Sequence, residues 1–304
     1  MFDFKTREEV SEKLKEQGYI SDKVIDYTIF NAVKLQAPLL IDGPAGVGKT
    51  EIAKVLAAIF DAELIRVQCY EGIDFSKVLY DFNYSKQLLY INLLKDNIGK
   101  LLQNKDFDTS VKLLNSETKF FGEDFLVERP ILRAISPKDD KPKVLLIDEI
   151  DKSDMEFEAL LLEVLSDFSV SIPEYGTVRA VNRPLVVLTS NNTRELSDAL
   201  KRRCVYLYID YPDVEKETKI IQTKVNIEYD FAKAIATAVQ KIRSLPLKQK
   251  PSIAETINWA KVLLLTIDAV DFNSSNKEYI DTTLNVLLKN QNDIKKAQAS
   301  QYIA

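Results

Sequence analysis

Three of the chain's eight glycines fall within six residues, at Gly43, Gly46 and Gly48. Glycine is used where backbone must turn sharply or come close to a ligand, so this cluster constrains the fold more tightly than any other stretch. An apolar run, Pro38-Leu39-Leu40-Ile41, precedes it and reads as a strand. Beyond it Ile52, Val55, Leu56 and Ile59 recur at helical spacing and predict a helix over 50–60. The loop between them, Gly43-Pro44-Ala45-Gly46-Val47-Gly48-Lys49-Thr50, fits G-x-x-x-x-G-K-[ST]. In such a loop, backbone N–H groups and the helix N-terminus converge on phosphate oxygens. The pattern assigns Lys49 to the β- and γ-phosphates of a nucleotide and the Thr50 hydroxyl to Mg2+.

Further along, Val144-Leu145-Leu146-Ile147 reads as a buried parallel strand that ends on Asp148-Glu149. Beside a phosphate loop this pair suits a metal-side element, with Asp148 holding Mg2+ and Glu149 orienting or deprotonating a water. The plainer reading is a surface acidic cluster, since Asp151, Asp154 and Glu156 follow closely. Another apolar run, Leu185-Val186-Val187-Leu188, leads into Thr189-Ser190-Asn191-Asn192, where an amide can bond both phosphate and water or simply form a turn. Lys201, Arg202 and Arg203 close a short helix, where cations suit the helix dipole. A guanidinium there also suits the nucleotide of a neighbouring subunit.

Strands at 63–68, 144–147, 185–188 and 205–209 alternate with helices at 21–34, 50–60 and 154–168, which predicts a parallel α/β sheet. Ser21 is the expected N-cap of the first of these helices. Runs at 169–173 and 177–181 flank Glu174-Tyr175-Gly176 and read as a hairpin. Beyond 210 the strand signal stops and amphipathic helices follow, which divides the chain into 1–210 and 211–304.

Composition excludes more than it suggests. There is no histidine, so no imidazole base, Ser-His-Asp triad or HExxH zinc site is available. Cys69 and Cys204 are too few for a cysteine-only zinc site and point to a reducing compartment. Net charge is −5, which makes nucleic acid an unlikely ligand for the surface as a whole. The charged N-terminus and the lack of a long apolar run lead us to expect a cytoplasmic protein without membrane insertion.

Taken in order, GPAGVGKT, VLLIDEID, SVSIPEYGTVRAV, LTSNN and LSDALKRRC resemble the AAA+ ATPases of the MoxR family. More narrowly, YEGIDFSKVLYDFNYSKQLL, FLVERPILRAI, FEALLLEVLSDFSVSIPE and KPSIAETINWA resemble the CoxD-like subgroup that accompanies aerobic carbon monoxide dehydrogenase. The resemblance spans about 20–265. It implies a three-layer AAA+ P-loop sheet with a helix-2 insert near 71–125, a pre-sensor-1 hairpin near 169–183 and a small all-α lid. It also implies ATP and Mg2+ as ligands, Asn191 as sensor 1, and Arg203, or its neighbour Arg202, as an arginine finger. The implied assembly is a homo-oligomeric ring, a hexamer, that works with a von Willebrand factor A domain protein on a molybdenum hydroxylase client.

One departure from that family is plain. Its lid arginine, sensor 2, has no counterpart in Pro251-Ser252-Ile253-Ala254-Glu255, which leaves Arg243, Lys250 or no residue at all for that role. Two other functions fit the same motifs: a nucleic-acid motor, and a scaffold that binds ATP but scarcely hydrolyses it.

Overall fold

The structure is a computed structural model and describes residues 2–90, 92, 122–138, 140–173, 175–266 and 272–303. Its centre is a five-stranded sheet in the order β2-β5-β8-β1-β9, with every neighbouring pair parallel. The strands are β1 (Leu39–Asp42), β2 (Glu63–Gln68), β5 (Lys143–Asp148), β8 (Leu185–Ser190) and β9 (Val205–Tyr208). All of β5 and β8 is buried, which is why they read as unbroken apolar runs.

The two-residue period of a strand sends alternate side chains to opposite faces. Leu145, Ile147, Val186 and Leu188 face one core, where they meet α5 (Pro130–Ile135) and α6 (Met155–Asp167). Val144, Leu146, Val187 and Leu207 face the other, against α1 (Arg7–Glu16), α2 (Lys23–Leu35) and α3 (Lys49–Ile59). The result is the expected three-layer parallel α/β sandwich. Because the strands run the same way, the C-terminal ends of β1, β2, β5 and β8 share one edge, where ligands collect in open α/β sheets.

Two small antiparallel pairs stand apart from this sheet. β6 (Ser169–Ile172) and β7 (Gly176–Arg179) form the hairpin read from the sequence. β3 (Tyr80–Phe82) follows the short α4 (Phe75–Val78) and pairs with β4 (Leu126–Glu128), bringing together residues 44 to 48 apart; between the two strands comes most of the expected helix-2 insert. That insert falls largely outside the described residues, at 91 and 93–121. The cap of α2 differs from expectation. Asp22, not Ser21, takes the place, and its Oδ1 accepts from the amides of Val24 and Ile25, both at 3.0 Å. A carboxylate suits the positive end of the helix better than a hydroxyl, and Oδ2 also pairs with Lys216 at 2.6 Å.

A short helix, α7 (Asp198–Arg203), precedes β9; every described element beyond Tyr208 is helical, beginning with α8 (Val214–Val225), α9 (Tyr229–Arg243) and α10 (Ile253–Thr266). The chain then ends in α11 (Lys277–Thr282), α12 (Leu284–Leu287) and α13 (Gln291–Gln298). Their core is built on Trp259, which is fully buried and donates its indole N–H to the Thr283 hydroxyl at 2.7 Å. No described helix is long and apolar enough to cross a membrane.

Arg243 closes this helical region. Its guanidinium meets both Glu217 oxygens, at 2.6 and 2.8 Å, bonds the Pro251 carbonyl at 2.9 Å and stacks on the Tyr211 ring. Removing one member of such a buried pair strands the other charge in the interior. Glu217→Ala is expected to lower unfolding free energy by roughly 3–5 kcal/mol in urea denaturation. Arg243→Met combined with Glu217→Leu is expected to recover most of that loss, because neither charge is then buried alone.

Candidate functional site

The loop at 43–48 can exist only with glycine at two of its corners. Gly43 has φ of 144°, and a Cβ there would lie 1.9 Å from the Ile209 carbonyl oxygen. Gly46 has φ of 77°, and a Cβ there would lie 2.2 Å from Cβ of Ser252, just before α10. Ile253 N–H also donates to the Gly46 carbonyl at 3.0 Å, so the helical region packs directly on the loop. The loop leads into α3, whose start has no side-chain cap; the Glu51 N–H bonds the Gly48 carbonyl at 3.2 Å, and among the described residues no side chain occupies the N–H groups before it.

Lys49 is the first residue of α3 and is buried. Its ammonium donates to the Gly43 carbonyl at 2.6 Å, the Pro44 carbonyl at 2.7 Å and Asn191 Oδ1 at 2.8 Å. Burial pulls its pKa below the usual lysine range, against the attraction of Asp42, Asp151, Asp148 and Glu149. Three acceptors and four nearby carboxylates are what make a buried ammonium tenable there.

Asp148, at the end of β5, is almost wholly buried, and donors of the chain surround its carboxylate. Oδ1 accepts from the hydroxyls of Thr50 at 3.0 Å and Thr189 at 2.5 Å. Oδ2 accepts from Arg66 Nε at 3.0 Å and Nη2 at 2.5 Å. Glu149, the next residue, has φ of 57°, a left-handed conformation that is costly without glycine and occurs at functional sites. Its carboxylate is met by Lys152 at 2.6 Å, Gln68 Nε2 at 2.9 Å and Asn191 Nδ2 at 3.3 Å.

Asp151 is a positioning residue that sequence reasoning grouped with a surface acidic cluster. Asp154 does belong at the surface, where it caps α6 through the Phe157 amide at 2.8 Å, and Glu156 is exposed. Asp151 is buried instead, accepting from the Asn191 amide at 3.1 Å and from the Thr193 amide and hydroxyl at 3.0 and 2.5 Å. It therefore fixes the backbone that carries Asn191. Burial pushes its carboxyl up, but the bonds from Thr193 and the Asn191 amide outweigh that and hold it below the usual range.

A cavity of about 440 Å3 opens over these groups, within the usual size for small-ligand sites. Gly46 to Thr50, Asp148, Glu149 and Asn191 line it together with Tyr19, Ile20, Pro212, Ile220 and Ile257, which supply apolar surface, and with Lys216 and Lys224. These apolar lining residues went unread because they come from three distant segments, none with a motif. Phosphate-binding and base-sized features thus share one cavity, and the donor set fits a nucleotide with a hard divalent cation.

The remaining predicted residues lie elsewhere. Arg202 and Arg203 are exposed in the last turn of α7 and do not line this cavity; Arg203 donates to the Ala199 carbonyl at 3.5 Å. Arg243 is consumed by Glu217 and cannot also serve as sensor 2, and Lys250 is exposed outside the cavity lining. At the start of the lid helix, apolar Ile253 and Ala254 line the cavity instead. Both cysteines are free, and burial pushes their thiols up to about 12, so neither offers a ready nucleophile.

The sequence pattern of the AAA domain, dynein-related subfamily, matches residues 38–204, more than half of the chain. The chain belongs to that family. An uncharacterized protein of Staphylococcus aureus strain NCTC 8325 is 24% identical over 224 residues, which cover 67% of this chain and 70% of the relative. Its counterpart in the bovine strain RF122 is 23% identical over the same length. Among solved structures, a Cytophaga hutchinsonii protein with a provisional ATPase description shares 16% identity. The alignment covers 97% of this chain and 86% of that one, with a TM-score of 0.46. The Thermotoga maritima RuvB Holliday junction branch migration motor shares 17% identity over 96% of this chain, with a TM-score of 0.40. This chain spans 66% of that motor, just under two thirds of its length. ATP and Mg2+ are the usual ligands of AAA ATPases, and the cavity of this AAA domain has the residues to receive them.

The depressed Asp151 carboxyl has a pH signature. Its contribution to stability is present above the ordinary value of 3.8 and is lost as pH falls through the lower folded value. Urea midpoints measured from pH 6 down to pH 2.5 should fall more gently below about pH 4 in Asp151→Asn than in the wild type.

Proposed function

We propose that this AAA domain is a Mg2+-dependent ATP hydrolase that works as a ring-forming, chaperone-like motor of the MoxR type. The observation that carries the hydrolytic part is the meeting of Lys49, Asp148, Glu149 and Asn191 in the lining of one cavity. Lys49 would neutralise phosphate charge, together with N–H groups at the start of α3. Thr50 and Asp148 would hold Mg2+, which supplies further charge neutralisation to the phosphates. Glu149 is the base that orients or deprotonates the attacking water, and Asn191 keeps its carboxylate facing the Lys49 end of the cavity.

The exposed position of Arg203 supports a role between subunits, since a guanidinium outside its own cavity is free to complete a neighbour's. A ring, in the resemblance a hexamer, supplies that neighbour. The CoxD-like stretches support a partner with a von Willebrand factor A domain and a molybdenum hydroxylase as client. The net charge of −5 weighs against a nucleic-acid motor, and the intact Asp148-Glu149 pair weighs against a scaffold without turnover.

Glu149→Gln is expected to keep ATP affinity while lowering phosphate release by about a hundredfold or more. Arg203→Ala is expected to lose turnover by roughly a thousandfold, because the in-trans charge is missing. Mixed Glu149→Gln and Arg203→Ala subunits should hydrolyse faster than either alone, since their junctions include intact sites. Mixtures no faster than their components would remove the ring. Glu149→Gln held in ATP in native extract should retain a von Willebrand factor A protein and a molybdenum hydroxylase. Retention of nucleic acid with salt-sensitive, DNA-stimulated hydrolysis would replace that role with a nucleic-acid motor.

A further inference from the structure

We propose that Arg66 is a positioning residue that sets how strongly this site takes a divalent cation, by competing with the cation for Asp148. The inference rests on the reading of Asp148 as the metal-side carboxylate of an ATP site.

The arrangement begins with register. In the parallel pair β2–β5, Arg66 lies beside Leu146 and Gln68 beside Asp148, so all four side chains leave the same face of the sheet. On this face Leu146 is covered by α3, whereas β2 is the edge strand and Arg66 remains half exposed. The Arg66 side chain runs one pleat along the strand and places both Nε and Nη2 on Asp148 Oδ2.

A carboxylate offers about four lone-pair positions. At Asp148 all four are met by the chain itself: hydroxyls of Thr50 and Thr189 on Oδ1, and two guanidinium N–H groups on Oδ2. A hard cation, or water bound to it, needs one of those positions, so a donor must give way. Thr189 is buried in β8 and also accepts from the Glu149 amide at 2.9 Å, which fixes it. Thr50 is held in the first turn of α3. Arg66 alone among the three has a side chain with solvent to retreat into, 51% exposed against 3% for Asp148. It is also the only one of the three whose charge repels a dication. Cation binding and the Arg66–Asp148 pair are therefore mutually exclusive or nearly so, and the strength of the pair subtracts from metal affinity.

The experiment is a Mn2+ titration of the full chain with a non-hydrolysable ATP analogue, read from the electron paramagnetic resonance signal of free Mn2+. Arg66→Ala and Arg66→Gln should bind Mn2+ roughly twofold to fivefold more tightly than wild type, the scale of a well-formed, half-exposed ion pair. Arg66→Gln keeps a donor for Asp148, so it provides a folded variant if Arg66→Ala loses its circular dichroism. Unchanged or weaker Mn2+ affinity in a folded Arg66 variant overturns the proposal and makes Arg66 a simple counter-ion. A wild-type chain that takes up neither analogue nor Mn2+ fails differently, since it overturns the nucleotide-site reading beneath the proposal.

Discussion

The site depends on keeping one ammonium charge inside the protein. Lys49 gives its three protons to the carbonyls of Gly43 and Pro44 and to the amide of Asn191. A buried ammonium with fewer partners would lose its proton or force the loop open. The three acceptors join the end of β1, the glycine loop and the end of β8, so a single side chain ties the loop to the sheet. Asn191 holds the link on the far side because Asp151 fixes its backbone, and the same Asn191 amide group reaches Glu149. Loop, Asp148 and candidate base are thus one connected network rather than separate residues that happen to be close.

The helical region enters this network by backbone and packing rather than by charge. Ser252 fills the space that a side chain at Gly46 would need, and the Ile253 amide bonds the Gly46 carbonyl. Ser252 and Glu255 form a capping box, Ser252 N–H to Glu255 at 2.7 Å and Glu255 N–H to the Ser252 hydroxyl at 3.2 Å, which fixes the start of α10 against the loop. Arg243, the arginine of these helices, braces them through Glu217 instead. Apolar Ile253 and Ala254 therefore face the cavity where the MoxR resemblance leads one to expect a cation. Movement of α10 relative to the sheet must act on the loop itself, because contact is made there.

Legibility followed the range of the physics. The glycine loop, the buried strands and the Asp148-Glu149 pair were readable because each is a local pattern with one dominant cause: close backbone approach, two-sided burial, or a carboxylate at a strand end. Asp151 was not, since charge spacing cannot tell a buried acceptor from a solvated one. Arg66 and Gln68 were missed because β2 reads only as an alternating strand, and their chemistry appears once register sets them beside Asp148. Asp22 displaced Ser21 as a cap because a second partner, Lys216, lies 194 residues away in sequence. The apolar part of the cavity lining, from Tyr19 to Ile257, likewise exists only after folding.

The most direct test of the central claim, that the Lys49 network is a receptor for the phosphates of ATP, is calorimetric titration of ATP with Mg2+ into wild type and Lys49→Ala. The account predicts saturable binding by the wild type and a loss of at least roughly tenfold in affinity for the variant, the scale of a charge-assisted contact removed from a buried site. Equal affinity in a folded Lys49→Ala protein would contradict it and place the nucleotide, if any, elsewhere.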